Sequence, residues 1–265
     1  MDDITSQLAL AYNDSPLLLW VLGSVVVYAL ATNALWLARV RGFQPLPLWS
    51  WLVETARFLF YLGIPYLALG GWPRDPFQGL LSLEEVGLVS LGGRWPVTRW
   101  LETVGTALGF GLVALLFLLL AWKNGARLGD GTRLHFPRRP WWAILIDVLY
   151  LEVHWAFYRG ALAVVLQDVY EGVFVGLGLV YLEWGLNPWW RAGWRSESEV
   201  GSRWLRAALA LVIALLFLLT RNLWVCLGVH GTIELAFWGL GHDQNTVQAV
   251  DSNIDRSELT RLGED

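Results

Sequence analysis

The sequence predicts an all-α fold, a polytopic transmembrane bundle of about seven helices. Three observations lead there: 55% of the 265 residues are hydrophobic and only 16% charged, the apolar residues fall into long runs, and tryptophans gather near the ends of those runs. A soluble domain of this size has too little polar surface to cover so much apolar side chain. A helix needs about 20 residues to cross about 30 Å of hydrocarbon, and the runs are close to that length. Indoles prefer the headgroup zone, so Trp49 and Trp51, Trp95 and Trp100, Trp141 and Trp142, Trp189, Trp190 and Trp194, and Trp204 read as interface belts.

Spans are expected at about 16–38, 51–69, 101–122, 141–166, 172–187, 205–220 and 222–240. The first is too long for the apolar region of a cleavable signal and follows an acidic start, Met1-Asp2-Asp3, so it is expected to stay as a span. Between the second and third lies Gly79 to Leu91, apolar but interrupted by Glu84 and Glu85, which reads as an interfacial helix rather than a crossing. Residues 1–240 form one transmembrane domain, and 241–265 a polar tail expected to be solvated and mobile. No internal repeat is visible.

Basic residues are retained on the cytoplasmic side of a membrane. Arg39 and Arg41, then Lys123, Arg127, Arg133, Arg138 and Arg139, then Arg191, Arg195, Arg203 and Arg206 follow spans one, three and five, whereas the other side collects only Arg74, Arg94, Arg99 and Arg221. The N-terminus is therefore expected outside and the C-terminus in the cytoplasm, with the cell membrane as location. The same rule explains Arg138 and Arg139 without a nucleic-acid partner. The single cysteine, Cys226, allows no intramolecular disulfide, and the net charge of -4 points to no partner. The bilayer itself is the expected surrounding, with a membrane-bound peptide or protein as substrate or partner.

An ionisable side chain at membrane depth costs several kcal/mol unless it is paired or faces a cavity. Such residues concentrate in three spans: Asp147, Glu152, His154 and Arg159 in the fourth, Glu183 with Asn187 in the fifth, and His230 with Glu234 in the seventh. Residues three, four or seven apart share a helix face, so Glu152 is the expected partner of Arg159, and His154 points away from both. His154 is then free to meet Glu183, His230 and Glu234 if the three helices pack together. Such a set fits a divalent ion such as zinc, held by His154, His230 and Glu234, or a water polarised for attack. The plainer reading is a set of struts that fix helix register. Glu54 and Arg57 read as a local ion pair, and Asp147 as a carboxylate tolerated near a helix start.

At these positions the chain resembles the CPBP family, the CAAX protease and bacteriocin-processing (Abi) intramembrane proteases. The family's Glu-Glu-x-x-x-Arg motif corresponds to His154-Trp155-Ala156-Phe157-Tyr158-Arg159, its Phe-x-x-x-His to Glu183-Trp184-Gly185-Leu186-Asn187, and its His-x-x-x-Asn or Asp to His230-Gly231-Thr232-Ile233-Glu234. The likeness spans about 141–240. Only Arg159 and His230 keep the polar letters; the other polar types are exchanged between helices. The resemblance implies a metalloprotease-like hydrolase of membrane-bound peptides, with His154, Arg159, Glu183, Asn187, His230 and Glu234 as catalytic candidates, Glu152 as structural support, Glu234 as base and Asn187 as oxyanion donor. Loss of both carboxylates of the first motif opens a second reading, a non-catalytic scaffold (a pseudoenzyme) binding a protein, peptide or lipid. A third is a transporter or proton relay, for which no repeat or paired broken spans are visible.

Overall fold

A computed structural model describes residues 2–43, 49–69, 96–128 and 140–240. The expected interfacial helix at 79–91 and the polar tail 241–265 lie outside the described residues. Everything regular within them is helical. In chain order the elements are α1 (Asp2–Val40), α2 (Trp49–Phe58), a π-turn (Leu59–Gly63), α3 (Ile64–Leu69), α4 (Val97–Leu128), α5 (Trp141–Leu166), α6 (Val169–Leu186), α7 (Pro188–Gly193) and α8 (Glu197–Thr220), then α9 (Leu223–Leu240).

The breaks have local causes. Pro65 has no N–H to give the carbonyl four residues back, and its ring crowds that carbonyl. The chain answers with the π-turn just before it, where the Ile64 N–H bonds Leu59 O, five residues back. Gln167 and Arg221 end α5 and α8 in the left-handed region, with φ 55° and 49°, which reverses the chain within one or two residues. Asp168 then caps α6 by accepting from the Glu171 N–H at 2.9 Å, and Asn222 caps α9 through the Trp224 N–H at 3.0 Å.

Helix α5 is the hub. It pairs most extensively with α6 and also touches α1, α3 and the π-turn. The α5–α6 contact is close because α6 carries Gly172 and Gly176 one turn apart. A Cβ on Gly172 would stand 2.4 Å from the Ala163 backbone, and one on Gly176 would stand 3.1 Å from the Arg159 nitrogen. This is the small-residue seam by which membrane helices approach each other. A second core, Ala114, Leu118, Leu205, Leu209, Ile233 and Phe237, joins α4, α8 and α9.

Outward faces stay apolar: Leu19 and Leu30 on α1, Leu108 and Phe117 on α4, and Leu219 on α8 are all well exposed. Contiguous exposure of this kind belongs in lipid rather than water. Five helices among the described residues are long and apolar enough to cross a membrane: Pro16–Val40, Val97–Asn124, Val169–Leu186, Glu199–Thr220 and Leu223–Leu240. The protein is an integral membrane helical bundle. The other two expected spans differ for physical reasons. The 49–69 rod is divided by the π-turn, and α5 carries Asp147, Glu152, His154 and Arg159, charges its neighbours satisfy.

The tryptophan belt needs one correction. Trp49, Trp51, Trp141, Trp142 and Trp204 are exposed, as belt residues should be, but Trp190 is buried and stacks on buried Trp184 at 4.4 Å between ring centroids. The reason is α7, which folds back under the bundle and carries Trp190 inward.

Candidate functional site

Position along α5 decides the site. Glu152 and His154 lie about 200° apart around the helix at 100° per residue, so they serve different neighbours. Glu152 shares its face with Trp155 and Arg159, toward α9. His154 shares its face with Tyr158, toward α6, α1 and the π-turn.

On the α9 side, Glu152 is fully buried and accepts from Nδ1 of His230 at 2.7 Å. Its other oxygen accepts from the Arg159 guanidinium at 3.4 Å, the partner the seven-residue spacing predicts. Trp155 stacks flat on His230, 5.4 Å between centroids and 11° between planes, and Arg159 lies 4.6 Å over the Phe217 ring. Farther along α9, Glu234 stands 3.9 Å from His230 Nε2 and 4.0 Å from Nε of Arg206 on α8. Side-chain exposure rises outward along this row, from 0% at Glu152 and His230 to 12% at Glu234 and 39% at Arg206.

On the α6 side, His154 Nε2 lies 3.2 and 3.3 Å from the two oxygens of Glu183. Tyr158 donates its hydroxyl proton to Glu183 Oε1 at 2.5 Å, and Ser24 Oγ of α1 is 2.7 Å from that hydroxyl. Phe60 and Tyr61 of the π-turn wall the imidazole, with centroids 4.8 and 5.2 Å away. The turn that Pro65 imposes thus carries two aromatic rings onto His154.

Both imidazoles have the same polarity. A carboxylate oxygen accepts from the ring nitrogen against it, and in a neutral imidazole the other nitrogen then holds the lone pair. His154 Nδ1 and His230 Nε2 are those second nitrogens, and each is buried without a hydrogen-bond partner. Each His–Glu pair therefore leaves one buried ring nitrogen outside any hydrogen bond.

The structure divides the predicted constellation into two. His154 meets Glu183 as expected, but His230 turns to Glu152, because α9 packs on the opposite face of α5. The ligand set His154, His230 and Glu234 is consequently not assembled, and among the described residues no three His, Cys, Asp or Glu side chains group as a metal site. Asn187 is also engaged elsewhere. It caps α7 through the Trp189 N–H at 2.9 Å, and its amide donates to the Tyr28 hydroxyl at 2.7 Å. It closes a helix junction instead of facing either imidazole.

Near one end of α5, Arg57 bonds Glu54 at 3.0 Å, the expected local pair, and also Asp147 at 2.7 Å. That second bond ties α2 to α5 and gives Asp147 a structural use. Tyr158, Ser24, Phe60 and Tyr61 were not legible as site residues. Tyr158 alone left a signal, sitting four residues after His154 on one helix face. Comparisons with known protein families, with curated proteins and with solved structures gave no match.

Proposed function

We propose that this chain is a CPBP-like intramembrane hydrolase of peptide bonds, with rearranged motif residues, in which the Glu152–His230 pair activates water beside Glu234. The observation that carries the reading is the Nε2 of fully buried His230, which has no hydrogen-bond partner, on a ring set between the carboxylate it already bonds and the partly exposed carboxylate of Glu234. His230 Nε2 takes a proton from water, and the hydroxide so formed adds to the peptide carbonyl carbon. Glu152 holds the positive charge on the imidazolium, as the acid of a hydrolase triad does, and Arg159 fixes Glu152. On collapse the C–N bond breaks, and His230 returns the proton to the amine. Glu234 orients the water. The walled His154–Glu183 pair holds α1, α5 and α6 together.

The membrane arrangement that goes with this reading has seven spans, the N-terminus outside and the C-terminus in the cytoplasm. Two facts support α5 as a sixth crossing: it is 26 residues long, about 39 Å at 1.5 Å per residue, and its charged groups face protein rather than lipid. The end of α1 bearing Arg39 meets α7 bearing Arg191, with Arg39 over the Trp189 ring at 4.8 Å, so these basic groups share one end of the bundle.

Mass spectrometry of peptide termini in membranes from cells producing the protein tests the proposal. New termini should appear with the native chain and vanish with His230→Ala and with Glu234→Gln at unchanged amounts of folded protein. Full cleavage by either variant would overturn it. A second reading, the non-catalytic scaffold, is favoured by one observation: the residue where the family places a second glutamate is Trp155, used to pave His230, while Asn187 is spent on a helix junction. It predicts no new termini with the native chain.

A further inference from the structure

The stretch Pro188-Trp189-Trp190-Arg191-Ala192-Gly193-Trp194-Arg195 interleaves aromatic and cationic side chains, and the fold turns it against the end of α1. Trp36 meets Trp189 edge-on at 4.6 Å, and Asn33 donates to the Leu186 carbonyl at 3.0 Å. Between the two elements lies a cavity of about 280 Å³ lined by Trp36, Pro188, Arg191, Ala192 and Arg195. Its lining holds two guanidinium groups and no carboxylate.

Neighbouring arginines are spent. Arg203 bonds Glu199 at 2.8 Å and covers the Trp190 ring at 4.6 Å, and Arg206 faces Glu234. Neither Arg191 nor Arg195 pairs with a carboxylate among the described residues. Two like charges at one cavity repel unless an anion lies between them, and guanidinium forks match phosphate oxygens. Retention of positive charge on one side of the membrane explains the presence of basic residues. It does not explain why two of them line one open groove with an indole.

The ligand is narrowed by size and surroundings. Ligand pockets usually run from about 300 to 1,000 Å³, so this open groove has room for a headgroup, with the rest of a lipid lying outside it. Exposed Leu37 and Val40 on the neighbouring turn of α1 offer an apolar flank for the chains that follow a headgroup. We propose that the cavity binds the phosphodiester of an anionic membrane lipid, clamped by Arg191 and Arg195 against Trp36. The inference depends on the bundle lying in a membrane and is independent of any hydrolysis.

Delipidated full-length protein titrated with phosphatidylglycerol, and separately with phosphatidylcholine, can be read by native mass spectrometry. Phosphatidylglycerol should be retained preferentially, and the Arg191→Gln, Arg195→Gln double variant should lose about tenfold or more of that retention, as expected for two charge-assisted bonds. The Arg191→Lys, Arg195→Lys variant, which keeps charge without the fork, should retain an intermediate amount and shows that the site is folded. Equal retention by the native chain and both variants would overturn the proposal, as would equal retention of the two lipids. Inorganic phosphate and glycerophosphoglycerol supply the remaining arm: displacement of the lipid by either at matched concentration would overturn the lipid and make a free phosphate or phosphodiester the ligand.

Discussion

Glu152 ties α9 to α5 through one buried carboxylate. It is sealed from solvent, it neutralises Arg159, and it accepts the His230 hydrogen. Removing one partner of a buried pair leaves the other charge stranded, at a cost of about 3–5 kcal/mol. Glu152→Ala should therefore lower the unfolding free energy in detergent by about that amount, whereas Glu152→Gln keeps an acceptor for His230 and should cost clearly less. Equal stability of Glu152→Ala and the native chain would show that the pair is not formed. The Glu152–Arg159 pairing was legible in the sequence, since seven residues are two helical turns. The Glu152–His230 bond was not, because nothing along the chain states which face of α5 receives α9.

Among the elements, α5 and α6 make the tightest joint, and glycine explains it. At Gly172 even a methyl group would overlap the Ala163 backbone, and backbone, unlike a long side chain, cannot step aside. Overpacking of this kind costs about 1–3 kcal/mol. Gly172→Ala should lower the thermal unfolding midpoint in detergent, while the same change at Gly178, which has nothing within 4 Å, should hold or raise it, since alanine is the better helix former. Matching midpoints for the two variants would argue against the close seam. The Gly172-Val-Phe-Val-Gly176 spacing stands in the sequence and is the signal that could have located this contact.

For the whole molecule, an all-α membrane bundle was legible from composition and run length, and five helices among the described residues meet the requirement on their own account. The proposed seven-span arrangement makes a sided prediction. Cys226, the single cysteine, is buried, so a Cys226→Ala background gives a clean field for single-cysteine labelling. Phe43→Cys, exposed just past the end of α1, should react with an impermeant maleimide only from the cytoplasmic face, and Tyr170→Cys, in the first turn of α6, only from outside. Labelling of both from the same side would remove the arrangement.

Length, hydropathy and spacing along single helices determined that this chain lives in a bilayer as a helical bundle, and that its costly polar groups lie on three of those helices. Those properties are local: each depends on residues a turn or two apart. Which imidazole meets which carboxylate was decided only when α6 and α9 settled on opposite faces of α5. That choice comes from contacts between residues far apart in the chain, such as the 78 positions from Glu152 to His230. Two His–Glu pairs stand where one shared centre was expected, because α9 brought His230 to the Glu152 face of α5, about 200° around the helix from His154.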